Sequence, residues 1–144
     1  IENKEREKKK KLKEEREKEK EKEIAEINAE KKKDAIYAIN YFNAGKKHYN
    51  NGAYAKSIAS FTSAINKDSD YADAYFERGV VYIEIDDYEK ALDDFSNNIN
   101  LNPKNFLSYR NRALCKSLVG RGDYCSDYKR ACQLGDKNSC NKCP

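Results

Sequence analysis

The chain has 144 residues, 38% of them charged, with a mean hydropathy of −1.08 and a net charge of only +4. That length holds one modest domain plus an extension, and 29 basic against 25 acidic side chains make too weak a field to predict nucleic-acid binding. No apolar run approaches the roughly 20 residues that span a bilayer, and the absence of Met predicts that Ile1 follows a processed or trimmed segment.

Residues 1–34 form a charged arm. From Glu2 to Glu23 every residue is charged except Asn3 and Leu12, and no Gly or Pro occurs before Gly45. Glu and Lys favour helix. Pairs such as Glu5/Lys9, Glu7/Lys11 and Glu14/Lys18 have the spacing and order that stabilise one, each by roughly 0.2–0.5 kcal/mol. Leu12, Ile24 and Ile27 are too sparse for a coiled-coil seam. The arm therefore reads as a solvated helix, or as a spacer or partly disordered linker. Glu neighbours dilute any attraction of Lys8–Lys11 for anionic lipid or RNA.

From Ala35 onward a 34-residue echo governs the sequence. Tyr75, Arg78, Gly79, Tyr82, Ala91, Phe95 and Pro103 follow Tyr41, Ala44, Gly45, His48, Ser57, Phe61 and Ser69 at the same offsets. Three units result, Ala38–Tyr71, Ala72–Asn105 and Phe106–Gly135, each a helix, a turn and a returning helix. Asp86–Asp87 makes the turn of the second unit, and Asn102–Pro103 ends its second helix. Gly79 and Ala91 are small where the two helices cross, and Tyr75, Tyr82 and Phe95 fill the space between layers. The fold class is all-α: an α-solenoid of about three helix-turn-helix repeats behind a long charged arm.

This pattern resembles the tetratricopeptide repeat. The second unit carries most of it in Tyr75, Gly79, Tyr82, Tyr88, Ala91, Phe95 and Pro103, with Arg78 and Asn98 departing from the usual Leu and Ala. The first unit keeps Tyr41, Gly45, Tyr54, Phe61 and Ala64. The third keeps Tyr109, Ala113, Tyr128 and Ala131 after a one-residue deletion in its second helix. The resemblance implies a non-enzymatic interaction module whose first helices line a concave groove. Carried over, the groove positions are Ile39, Phe42, Lys46, Tyr49 and Asn50, then Asp73, Phe76, Val80, Ile83 and Glu84, then Leu107, Arg110, Leu114 and Ser117. Such a surface is apolar and aromatic with a charged fringe, suited to a peptide or helix segment of a protein partner or to a neighbouring subunit. A sub-class of the family clamps the C-terminal carboxylates of heat-shock chaperones with Lys, Asn and Arg. Here the matching positions hold Phe42, Lys46, Glu77, Leu107 and Asn111, none with the residue type that the clamp has at that position, and Glu77 repels a carboxylate.

All five cysteines, Cys115, Cys125, Cys132, Cys140 and Cys143, lie in the last thirty residues. The stretch from Ala131 to Cys140 resembles the junction in bacterial cysteine-rich SEL-like repeat proteins. That resemblance implies a Cys132–Cys140 bridge, with Gly135 at the helix end and Asn138 or Ser139 opening the next turn. Cys115 and Cys125 fall on the two helices of unit three and form a candidate second bridge, leaving Cys143 odd. Bridges would staple the last repeat, where too few residues remain for a capping helix. They place the chain in an oxidising compartment, a periplasm or cell envelope. The alternative is a cytoplasmic cysteine-dependent protein, either binding zinc through Cys125, Cys132, Cys140 and Cys143 or doing redox work at Cys140-Asn141-Lys142-Cys143. Nothing in the sequence calls for a cofactor or forms a catalytic set; the single His48 sits where the repeat packs Tyr.

Overall fold

The computed structural model describes residues 2–143. Six α-helices follow in order: α1 (Glu2–Asn50), α2 (Tyr54–Lys67), α3 (Ala72–Glu84), α4 (Tyr88–Leu101), α5 (Phe106–Val119) and α6 (Tyr124–Gln133), then one 3₁₀ turn at Lys137–Ser139. No strand occurs among the described residues. The chain divides into two units, residues 1–36 and 37–144.

The first unit is helical and solvent-exposed. Among the described residues its i,i+4 ion pairs are Lys10–Glu14, Lys13–Glu17 and Lys22–Glu26, at 3.8–4.0 Å. Those run in the Lys-to-Glu order, not the expected Glu-to-Lys pairs. Exposed pairs this loose contribute little, so the helix rests mainly on the propensity of its Glu and Lys residues.

In the second unit each helix packs on the next in sequence, α2 on α3, α3 on α4, α4 on α5 and α5 on α6. The 34-residue register sets the close crossings. A Cβ at Gly45 would lie 2.6 Å from the Phe61 ring, and one at Gly79 would lie 3.0 Å from the Phe95 ring. Both rings are fully buried. The turns repeat too: Gly52, Asp86 and Gly120, spaced 34 apart, take φ of +68°, +59° and +66°. They end the first helix of each unit in the left-handed conformation. Asp87, Asn105 and Asp123 then cap α4, α5 and α6 by accepting backbone N–H bonds with their side chains.

Both departures in the second unit are polar keystones. Arg78 donates to Asp94 through Nε and Nη2, at 2.8 and 2.7 Å, and to the Thr62 hydroxyl through Nη1 at 2.8 Å. Arg112 repeats this on Asp127, at 2.9 and 2.7 Å, and on Ser96 at 3.2 Å. Thr62 and Ser96 keep the 34-residue offset, whereas Asp94 and Asp127 are 33 apart, which reflects the deletion in the shorter α6. Asn98 is fully buried. It donates to the Ala72 carbonyl at 2.7 Å and accepts from Asn105 Nδ2 at 3.1 Å and from the Ser108 hydroxyl at 2.6 Å. An Ala could not tie those three segments together.

The C-terminal end departs from expectation in its bridges. Cys132 pairs with Cys140, and Cys125 pairs with Cys143, not with Cys115. The Cα separations are 4.9 and 5.7 Å. Cys115 points into the core beside Ala91, Leu92 and Phe95 and is fully buried, out of reach of Cys125. Burial pushes its thiol up to about 11. The reversal that brings the tail back uses Gly135 at φ +107°, with Asp136 N–H bonding to the Ala131 carbonyl and Gly135 N–H to that of Cys132. Asp136, not Asn138 or Ser139, caps the following turn. It accepts from Asn138 N–H and from the buried Ser139 hydroxyl.

Candidate partner-binding groove

The expected groove residues come from α1, α3 and α5. Phe42 and Phe76 occupy matching positions, and each sets its ring against the buried phenylalanine of its own unit. Phe42 lies 5.6 Å from Phe61 and 5.0 Å from Tyr71; Phe76 lies 5.8 Å from Phe95, edge-on. Both stay half-buried, so each has one side committed to the core. Val80 and Ile83 join Phe76 in packing on the cluster of Ala91, Leu92, Phe95 and Cys115. Ile39 and Leu114 are exposed, at 49% and 39%.

Helices α1 and α3 are joined on this side. The Tyr49 hydroxyl donates to Glu84 at 3.3 Å. Desolvation, reinforced by that carboxylate, raises the Tyr49 pKa, so the phenol stays a donor. Lys46 lies over the Phe42 ring at 5.7 Å. Phe76, Glu77, Val80 and Glu84 follow at the i, i+1, i+4 and i+8 steps of one α3 face. At the far end Arg110 turns toward the tail, 3.6 Å from the buried Asp136 carboxylate. The tail thus occupies one expected groove cation.

Glu77 is the residue that sequence reasoning undervalued, noting it only as a mismatch to a carboxylate clamp. It is half-buried, and among the described residues no hydrogen bond or ion pair holds its carboxylate. Burial raises its pKa, with Lys46 opposing and Asp73 adding to the rise. Its neighbours at i−1 and i+3, Phe76 and Val80, were the available signal.

A second concavity of about 280 Å³ lies between Leu92, Asp93, Ser96, Arg112, Lys116 and Arg121. Its cations are matched within the chain: Arg112 and Lys116 meet Asp127, and Arg121 meets Glu89. The four cysteines proposed for zinc or redox work are consumed by the two bridges.

Comparison with known proteins bears on the same region. A family profile described as TPR repeat matches residues 45–86, and one described as Tetratricopeptide repeat matches residues 72–105. No curated protein sequence matches the chain. Among solved structures, the TPR domain of Arabidopsis OM64 superposes with a TM-score of 0.69 at 21% identity, covering 74% of this chain and 90% of that one. The first TPR of Spaghetti (RPAP3), bound to the HSP90 peptide SRMEEVD, gives 0.68 at 21% identity over 72% of this chain and 83% of that one. MamA gives 0.66 at 24% identity, over 71% of this chain and 60% of that one. At these identities the likeness is one of fold.

Proposed function

The chain belongs to the tetratricopeptide repeat family, and from that premise we propose that it is a non-enzymatic protein-interaction module, an adaptor or structural component that holds a partner segment against α1, α3 and α5. The observation that carries this reading is the half-buried row of Phe42, Tyr49, Phe76 and Val80, tied across two helices by the Tyr49–Glu84 bond. The Phe42 and Phe76 rings rest on the buried Phe61 and Phe95, and the Tyr49 ring packs on Tyr54. Such rigid aromatic anchors lose little entropy when a segment docks. The first TPR of Spaghetti holds an HSP90 peptide, but the clamp positions here, with Phe42 and Glu77 among them, do not suit a C-terminal carboxylate. The two bridges support an oxidising location, a periplasm or cell envelope.

The test is a selection of displayed random peptides on the oxidised full-length chain. Changing Tyr49 and Leu114 to Ser spares the fully buried core and removes the Tyr49–Glu84 bond. It should weaken the selected binders at least about tenfold while the circular dichroism stays unchanged, since loss of an anchor costs upward of about 1.4 kcal/mol. Binders indifferent to both changes would move the contact off this groove.

A further inference from the structure

We infer that the groove selects segments in which a Lys or Arg side chain stands beside apolar residues, with Glu77 receiving the cation, and that the segment belongs to a partner protein. This rests on the groove reading above and adds the chemistry of its occupant.

Charge on the groove runs against charge on the chain. The protein carries a net +4, yet α3 presents Asp73, Glu77 and Glu84 alongside Phe76 and Val80, with Lys46 of α1 near enough to Glu77 to oppose its rise in pKa. The other candidate cation, Arg110, is matched by buried Asp136. Glu84 is engaged by Tyr49. Glu77 is left half-buried between apolar neighbours with no hydrogen bond or ion pair among the described residues. Elsewhere in the repeat domain the most buried carboxylates are all answered, Asp94 by Arg78, Asp127 by Arg112 and Lys116, Asp136 by Arg110 and Ser139. A partly desolvated carboxylate with no hydrogen bond or ion pair, relieved only in part by the field of Lys46, is an electrostatic cost, and burial raises its pKa accordingly. A cation delivered by a docking segment removes that cost, while a carboxylate adds to it. The flanking Phe76 and Val80 take the apolar residues on either side.

The experiment is the displayed-peptide selection on the oxidised full chain, with libraries offering both internal segments and free C-termini. Enrichment of Lys or Arg next to aliphatic or aromatic residues is expected. Selected binders should weaken at least about tenfold on Glu77→Gln and more on Glu77→Lys, but not on Glu89→Gln, an exposed carboxylate paired with Arg121. The isosteric Glu77→Gln keeps the test valid if Glu77→Lys does not fold. Acidic binders would overturn the inference. So would basic binders indifferent to Glu77 but lost with Tyr49→Ser and Leu114→Ser, and those would leave the groove reading standing. Binders indifferent to all these changes, or no binders, would remove both readings. Displacement of the binders at equal affinity by a synthetic peptide of residues 21–40 would make the occupant a second copy of this chain and overturn its assignment to a partner protein.

Discussion

Arg78 and Asp94 meet through two parallel hydrogen bonds, Nε to Oδ2 at 2.8 Å and Nη2 to Oδ1 at 2.7 Å, on two helices of one repeat. The third arm of the guanidinium reaches Thr62 in the preceding repeat. A position that the family fills with an apolar side chain has become a polar lock within and between units.

Removing one side of that lock exposes its worth. Arg78→Leu leaves Asp94, 3% exposed, with a buried charge and no cation. It should cost about 3 kcal/mol in urea unfolding. Arg78→Leu with Asp94→Ala restores an apolar contact and should recover most of that loss. If the double variant is no more stable than the single one, the pair is not the source of the effect.

Asn98 gathers the ends of three segments. Asn98→Ala strips the Ser108 hydroxyl and the Ala72 carbonyl of their partners. The expected loss is about 2 kcal/mol, with Asn98→Asp no better because it cannot donate to the carbonyl. Thermal unfolding of the three proteins measures this directly.

The cysteines make a prediction by mass. Native oxidised protein treated with an alkylating agent should gain no adduct, because four thiols are bridged and Cys115 is buried and protonated, its pKa pushed up to about 11. Unfolding without reductant should admit one adduct. Cys143→Ser opens a loop with a sequence separation of 18. It should lower stability by about 3 kcal/mol and make Cys125 the new alkylation site.

Glu77 couples stability to pH. An unfolded Glu titrates near about 4.3, and burial raises Glu77 above its ordinary value in the fold, with Lys46 only partly opposing. The protonated carboxyl therefore contributes stability that is fully present below about pH 4.3 and is lost as the pH rises through the raised folded value. Glu77→Gln should be more stable than the parent at neutral pH, the difference closing below about pH 4.3. Denaturant midpoints across pH 3.5–8 for both proteins check the sign.

The sequence by itself determined the repeat architecture. A helix-turn-helix unit must restate its large and small residues at a fixed interval to stack on a copy of itself, so Gly45 against Phe61 and Gly79 against Phe95 are written as a 34-residue echo. The left-handed turns at Gly52, Asp86 and Gly120 carry the same spacing and were equally open to that reading. What only the tertiary structure decided involves chain segments with no shared period. Arg78 draws Asp94 and Thr62 from two other helices, which turns an apparent defect in the pattern into a lock. Cys125 finds Cys143 because the tail reverses at Gly135, while Cys115, its nearer partner in sequence, is held in the core. Glu77 differs from any exposed Glu only through the packing that takes water from it. Periodicity in a sequence reports which face of a helix is buried; desolvation and pairing depend on which other chain segments arrive there.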